Sequence, residues 1–256
     1  MEIRVELQRG ETRTTHTVSV TMRTPGEDFE LTAGFLFSEG LVASRGQVRE
    51  ITYCPSGQPS QEYNVVSLRL EEGVAFDASL LDRNFYTTSS CGVCGKASLE
   101  ALEIRDCPVP PSSSPQVAGS LLAGLPGELR RGQAAFRKTG GLHAAGLFDE
   151  QGGLLVLRED VGRHNAVDKV VGWALLADRL PLHRAILVVS GRTSFDIMQK
   201  ALMAGIPVVV AVGAPSSLAV DLARRFGMTL TGFTREEGFN VYAGVHRVLS
   251  WEPEEA

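Results

Sequence analysis

Cysteine, long apolar runs and excess positive charge are all scarce in this sequence. Four cysteines among 256 residues do not make the disulfide framework of a small secreted protein. The longest apolar run, 206–212, contains Pro207 and falls far short of the ~20 residues of a membrane span. A net charge of −5 disfavours general nucleic-acid binding, because phosphate contacts need clustered Lys and Arg. Since the N-terminus also lacks an apolar signal segment, we expect a cytoplasmic protein that binds neither membrane nor nucleic acid.

The pattern of apolar residues divides the chain into two parts. Residues 1–106 alternate in the manner of strands, with a β-hairpin predicted over 2–23, a helix over 27–42, and strands at VREITY and NVVSLRL. The Pro- and Ser-rich stretch 107–116 is predicted to be a linker or a surface loop. Residues 117–256 alternate apolar strands such as AILVVS with amphipathic helices. This predicts an α/β fold whose partly parallel sheet carries helices on both faces, with a β-rich N-terminal part.

The most reactive stretch is TTSSCGVCGKAS (87–98), where two residues separate Cys91 from Cys94. Lys96 and the start of a helix predicted over 97–105 both favour the thiolate form. A structural zinc site usually needs a second such pair, and this polar loop fits a thioredoxin-like disulfide poorly. Two inert buried thiols are a further alternative. The spacing by itself does not decide between redox cycling and carrying sulfur as a persulfide.

The segment REDVGRHNAVDKVVG (158–172) concentrates charge at the start of a predicted helix. His164 and Asp168 are four residues apart, so we expect them to share a helix face and to pair, which would raise the histidine pKa. Arg163 and His164 would then line a polar cleft for an anionic ligand. The alternative is an ordinary solvated helix face with one ion pair.

Two turns that follow apolar strands are predicted to bind anions. In SGRTSFD, Ser190–Ser194 follows a strand and opens a helix, with Arg192 in the turn and a capping box expected between Thr193 and Asp196. VGAPSS (212–217) repeats this arrangement. Side by side at the carboxyl ends of parallel strands, the two turns could hold a dinucleotide. The alternative is a pair of well-capped turns without a ligand.

The segment TGGLHAAGLF (139–148) permits a comparison with zinc nucleobase deaminases, whose signature is H-x-E followed later by P-C-x-x-C. Here Ala145 stands where the glutamate would be, two residues after His143. Ser90, not proline, precedes Cys91, and the cysteines come before the histidine. Deamination is therefore disfavoured, and we expect no metal site.

Several of these stretches together resemble the FdhD/NarQ family of formate dehydrogenase accessory proteins. The resemblance rests on SSCGVCGKAS, EDVGRHNAVDKVVG, SGRTSFDIMQKALMAGIPVVVAVGAPSSLAVDLA and FNVYAG, and also on TMRTPGEDFELTAGFLFSEGLV near the start. It extends over roughly residues 15–245, and the combination is highly specific although single pieces would not be. It implies a cytidine deaminase-like fold that has lost the zinc chemistry, and a homodimer in the cytoplasm.

The resemblance also implies a function. Family members are sulfur carriers that take persulfide sulfur from a cysteine desulfurase. They pass it to the Mo or W bis(molybdopterin guanine dinucleotide) cofactor, which formate dehydrogenase requires in sulfurated form. GDP and other guanine nucleotides bind as pieces of that cofactor. A thiol–disulfide oxidoreductase and a non-catalytic chaperone of the cofactor are the alternative functions.

The candidate residues fall into two groups. The resemblance makes Cys91 the persulfide residue and Cys94 its helper. It also assigns the stretch Phe233 to Gly238 to the cofactor, and the turn and charge patterns add residues from two other segments. The cofactor-binding candidates are Arg163, His164, Ser190, Gly191, Arg192, Thr193, Ser194, Phe233, Thr234, Arg235, Glu236, Glu237 and Gly238.

Overall fold

A computed structural model describes residues 1–54, 63–76, 107–112 and 114–249. The cysteine loop and the helix predicted over 97–105 lie outside these ranges. Among the residues that are described, no helix is both long enough and apolar enough to cross a membrane.

The N-terminal part is a four-stranded sheet of order β2-β1-β4-β3, with one helix against it. Its elements are β1 (Glu2–Arg9), β2 (Thr12–Val20), α1 (Asp28–Ser38), β3 (Val48–Tyr53) and β4 (Val65–Leu70). β1 and β2 form the predicted hairpin, while β1 pairs in parallel with β4. Gly10 turns the hairpin at φ 58°, a conformation that favours glycine. The hairpin, the helix and the two strands predicted for this part are confirmed.

The C-terminal part centres on a six-stranded sheet of order β11-β10-β9-β8-β6-β7. β8, β9 and β10 are parallel to one another, and the other three strands pair antiparallel with their neighbours. The strands of this part are β5 (Val117–Ala118), β6 (His143–Phe148), β7 (Leu154–Asp160), β8 (Ile186–Val189), β9 (Val208–Ala211), β10 (Thr229–Arg235), β11 (Gly238–Ala243) and β12 (Val248–Leu249). The helices are α2 (Gly119–Gly132), α3 (Ala134–Thr139), α4 (Arg163–Leu176), α5 (Phe195–Met203) and α6 (Ser217–Arg225).

Both faces of the six-stranded sheet are covered, as the continuous apolar strands predict. In β8, Leu187 and Val189 join a core that includes α4, α5 and α6, whereas Ile186 and Val188 join a second core under α2. Successive side chains of a strand point to opposite faces, so this split places one helix layer on each side. The mixed α/β fold with helices on both faces is confirmed; the cytidine deaminase likeness stays a prediction.

Helix α1 of the N-terminal part packs directly on α4 of the C-terminal part, through two glycines. A Cβ atom at Gly34 would overlap the carbonyl oxygen of Asp168, and one at Gly172 would overlap the carbonyl oxygen of Glu30. The two backbones therefore touch where they cross. The larger core runs through this contact, from Ile3 in β1 to α4 and the six-stranded sheet. The division into parts at 107–116 stays a prediction.

A buried ion pair fixes residues 21–24 against the start of α4. The Lys169 Nζ atom lies 3.0 Å from Asp160 Oδ2 and donates to the carbonyl of Thr24 at 3.0 Å. Asp160 also accepts from the backbone N–H of Thr24, and Asn165 donates to the carbonyl of Met22. Three polar residues of the segment 158–172 thus serve to join the two halves of the molecule.

Candidate functional site

Three loops meet at the carboxyl end of the parallel strands. The Gly213 N–H after β9 donates to the carbonyl of Gly191 after β8 at 3.1 Å. The Phe233 N–H near the end of β10 donates to the carbonyl of Gly213 at 3.3 Å. The turns Ser190–Ser194 and 212–217 therefore lie side by side, as expected, and the stretch 233–238 joins them. This edge of an open α/β sheet is where ligands commonly bind.

The N-terminus of α4 brings Arg163 to the same edge, where it lies near His143 of β6. The Arg163 side chain passes over Gly191, because a Cβ there would lie 3.7 Å from Arg163 Cδ. The same Cβ would lie 3.2 Å from Nδ1 of His143, the first residue of β6. The sequence pattern indicated His143 only through the comparison with zinc deaminases. The signal for its place here is Gly140-Gly141, which turns the chain just before β6.

Two buried polar atoms at this edge lack a hydrogen-bond partner among the described residues: Arg163 Nε and Thr193 Oγ1. A buried donor without a partner is unfavourable by about 1–3 kcal/mol, so each suits a ligand that accepts a hydrogen bond. Helix α5 begins just beyond, and the side chain of its N-cap residue, Ser194, makes no capping hydrogen bond. The capping box predicted between Thr193 and Asp196 is therefore wrong, because Ser194 takes the N-cap position and Thr193 is buried.

His164 contacts the start of α5 and not Asp168. Its Nε2 atom lies 2.9 Å from Ser194 Oγ and 3.7 Å from Asp196 Oδ2. The predicted pair with Asp168 is wrong, since the Asp168 carboxylate bonds the Lys200 ammonium at 2.7 Å inside the core. The buried ammonium of Lys200 requires a buried anion, and the Asp168 carboxylate is that anion. The fact that His164 and Asp168 share a helix face therefore does not decide which residue pairs with Asp168.

The expectation of a raised pKa for His164 is also wrong. Burial lowers its pKa to about 4, and the nearby charge of Arg163 adds to the effect. Lys200 and His143 act in the same direction, while Asp196 opposes them. Burial likewise lowers the pKa of His143, with Arg163 contributing. At neutral pH the two imidazoles beside the Arg163 guanidinium are therefore neutral.

His164 should make the protein less stable in acid. Because its folded-state pKa of about 4 lies below the ordinary 6.5, the unfolded chain binds the proton more tightly. The free energy of unfolding should fall as the pH drops from about 6.5 to about 4. In urea titrations across this window, His164→Gln is expected to lose less stability than the wild type. Equal losses in the two proteins would contradict the shift.

The stretch 233–238 has both exposed and buried members. Phe233, Arg235, Glu236 and Glu237 are exposed, while Thr234 is fully buried and bonds Thr231. Glu236 lies against α2, because a Cβ at Gly127 would sit 3.2 Å from its Oε1 atom. Gly238 pairs with Arg235 and closes the turn between β10 and β11. A ligand can therefore reach the ring of Phe233 and the charged side chains of Arg235, Glu236 and Glu237.

The sulfur-bearing candidates Cys91 and Cys94 lie outside the described residues, so their roles stay predictions. Of the other cysteines, Cys107 is buried, with its Sγ atom 3.4 Å from Met203 Sδ, and Cys54 is half-buried. Among the described residues, no three His, Cys, Asp or Glu side chains cluster as metal ligands would.

Comparison with known proteins agrees with the resemblance. A model of the FdhD/NarQ family matches residues 5–249. A sulfur carrier protein FdhD of Streptomyces avermitilis is 55% identical over 239 residues, covering 90% of this chain and 83% of that protein. Its namesake in Mycobacterium tuberculosis is 52% identical over 236 residues, covering 90% and 86%. The crystal structure described as a formate dehydrogenase accessory protein from Desulfotalea psychrophila is 25% identical, with a TM-score of 0.67, and covers 97% of this chain and 90% of its own. The chain belongs to the FdhD/NarQ family.

Proposed function

We propose that this protein is a sulfur carrier for formate dehydrogenase maturation. It accepts persulfide sulfur from a cysteine desulfurase and transfers it to the Mo or W bis(molybdopterin guanine dinucleotide) cofactor, which is its substrate. The relatives named sulfur carrier protein FdhD support the sulfur chemistry. The observation that carries the binding half is the pair of unpartnered buried atoms, Arg163 Nε and Thr193 Oγ1, where three strand ends meet.

The loading step requires one reactive thiolate. The Cys91 thiolate attacks the terminal sulfur of the desulfurase persulfide, and the desulfurase cysteine leaves as a thiolate. No net oxidation occurs, because one S–S bond breaks and another forms. For release, the Cys94 thiolate attacks the Cys91 Sγ atom, the outer sulfur leaves as hydrosulfide, and a Cys91–Cys94 disulfide remains. A cellular dithiol must then reduce that disulfide before the next cycle.

The edge of the sheet suits the phosphates of the substrate. A phosphate oxygen can accept hydrogen bonds from Arg163 Nε, from Thr193 Oγ1 and from the N–H groups of the first turn of α5. Arg192 is exposed beside them and adds a positive charge. Because the whole chain carries a net charge of −5, attraction of an anion has to be local. We also propose that the protein is cytoplasmic and forms a homodimer. Sedimentation would test the homodimer.

Intact-protein mass spectrometry tests the carrier function. The protein is incubated with a cysteine desulfurase and cysteine, and the wild type is compared with Cys91→Ala and Cys94→Ala. We expect the mass of one added sulfur atom, removable by dithiothreitol, on every protein except Cys91→Ala. Cys54→Ala is the matched control and should load like the wild type. Absence of the adduct from all variants, with an active desulfurase, would contradict a sulfur carrier.

A binding measurement separates the two halves of the proposal. We expect GDP, as an analogue of the substrate, to bind Cys91→Ala as tightly as the wild type in calorimetry. Loss of GDP binding in that variant would mean that the cysteine loop is structural. A Cys91–Cys94 disulfide that cycles without any cofactor would favour an oxidoreductase. Full cofactor sulfuration without either cysteine would favour a chaperone.

A further inference from the structure

Strand β10 contains a bulge immediately before its turn into β11. Gly232 pairs with Asn240 and Arg235 pairs with Gly238, so Phe233 and Thr234 together oppose the single residue Phe239. Two residues against one define a β-bulge, and bulges commonly redirect a side chain beside an active site. This bulge lies at the carboxyl end of the parallel strands, within the proposed substrate site.

The bulge holds Phe233 in a conformation that phenylalanine rarely adopts. Its φ is 53°, in the left-handed region where bulges of this kind usually carry glycine. The residue is nevertheless 45% exposed, so burial of the side chain does little to offset the strain of this backbone conformation. Strain of this sort persists where the surroundings fix the backbone, and it is concentrated at ligand sites.

Two buried threonines fix the backbone on either side of Phe233. Thr231 and Thr234 are fully buried, and their hydroxyl oxygens are 3.1 Å apart. In a regular strand, residues three apart point to opposite faces, so this hydrogen bond can form only with the bulge in place. The Phe233 N–H is held as well, by the carbonyl of Gly213. These two hydrogen bonds direct the Phe233 ring outward, and both are present before any ligand binds.

We infer that the Thr231–Thr234 hydroxyl pair is a positioning device that holds the Phe233 ring as a preformed stacking surface for a purine base of the substrate. This inference rests on the proposed function, in which the bound molecule is a guanine nucleotide. An exposed ring stacks on the face of a base, and a ring held in advance loses little entropy on binding. Phe233 thus contacts the base, and the threonines act through Phe233.

Substitutions of Phe233 test the stacking surface. In calorimetry, Phe233→Leu should bind GDP at least about fivefold more weakly than the wild type, and Phe233→Tyr should bind normally. Affinity for inorganic diphosphate should be the same in all three proteins, because it has no base. Phe233→Gly should also lose GDP affinity, yet its melting temperature should not fall, since glycine adopts this φ without strain.

The threonine pair is tested by replacing both hydroxyls with methyl groups. Thr231→Val leaves one buried hydroxyl without its partner, so this variant should melt below the wild type. The double variant Thr231→Val/Thr234→Val removes both polar groups and should recover most of that stability. It should still bind GDP at least about threefold more weakly than the wild type, with unchanged affinity for diphosphate. A purely structural role would change stability without changing the ratio of the two affinities.

Two outcomes separate this inference from the proposed function. If the wild type binds GDP and Phe233→Leu binds it equally well, the stacking inference is overturned while the proposed function stands. If the wild type binds diphosphate but not GDP, both the inference and the nucleotide-binding half of the proposed function are overturned. Loading of sulfur on Cys91 is measured separately and reports on the carrier function alone.

Discussion

Replacing Gly34 by alanine is expected to lower the free energy of unfolding by about 3 kcal/mol or more. The added Cβ atom would overlap the Asp168 carbonyl oxygen, which belongs to the backbone of α4 and cannot rotate away. The helices must therefore separate along their crossing, and the core on both sides must repack. Gly172→Ala should have a similar effect, since its Cβ would overlap the Glu30 carbonyl oxygen in α1.

The matched control is Gly124→Ala in α2. A Cβ at Gly124 would meet nothing within 4 Å, so this helix glycine has no packing reason to lack a side chain. Alanine is the better helix former, and the substitution should raise the free energy of unfolding by about 0.5–1 kcal/mol. Urea denaturation of Gly34→Ala, Gly172→Ala and Gly124→Ala measures the free energy of unfolding of each variant. If Gly34→Ala is as stable as Gly124→Ala, the close crossing of α1 and α4 is wrong.

Lys169→Met is expected to lower the free energy of unfolding by about 3–5 kcal/mol, the usual result of leaving a buried charge without its partner. The ammonium and the Asp160 carboxylate are both fully buried, and the ammonium also bonds the carbonyls of Thr24 and Glu159. Methionine can fill the space of the aliphatic stem but donates no hydrogen bond. Residues 21–24 should therefore detach from α4 before the rest of the protein unfolds.

Hydrogen exchange and urea denaturation together measure this effect. The amide of Thr24, which donates to Asp160, should lose its protection first. Arg184→Met is the matched control, because Arg184 pairs with Glu150 on the surface, where its side chain is 74% exposed. That substitution should leave stability unchanged, since exposed ion pairs contribute little. Equal stability of Lys169→Met and Arg184→Met would contradict a structural role for the buried pair.

Local patterns predicted the elements near the site well and their contacts poorly. β8 and β9 are apolar over their whole length, and the Gly-containing turns after them mark where each strand ends. Two such turns after parallel strands must lie at one edge, so their proximity followed from the pattern. The pairing of Asp168 with Lys200 did not follow from the pattern. Lys200 is 32 positions away and reaches Asp168 only once α5 packs on α4.

The segment 158–172 shows the same limit within a single motif. Its charges predicted a polar cleft, yet the structure divides them by burial: Arg163 and His164 lie at the sheet edge, while Asp160 and Lys169 are inside the protein. Spacing along a helix gives the face of each residue but not what packs on that face. Here α1 and residues 21–24 cover one side of α4.

The sequence by itself determined the α/β class, the strands and helices that lead into the sheet edge, the turns there and the family, because each depends on neighbouring residues or on specific motifs. Only the tertiary structure decided which polar groups are paired and which are free. It gave Asp168 to Lys200, left Arg163 Nε and Thr193 Oγ1 without partners among the described residues, and held Phe233 at a positive φ. The physical reason is that desolvation sets these energies, and burial exists only once distant segments have packed together.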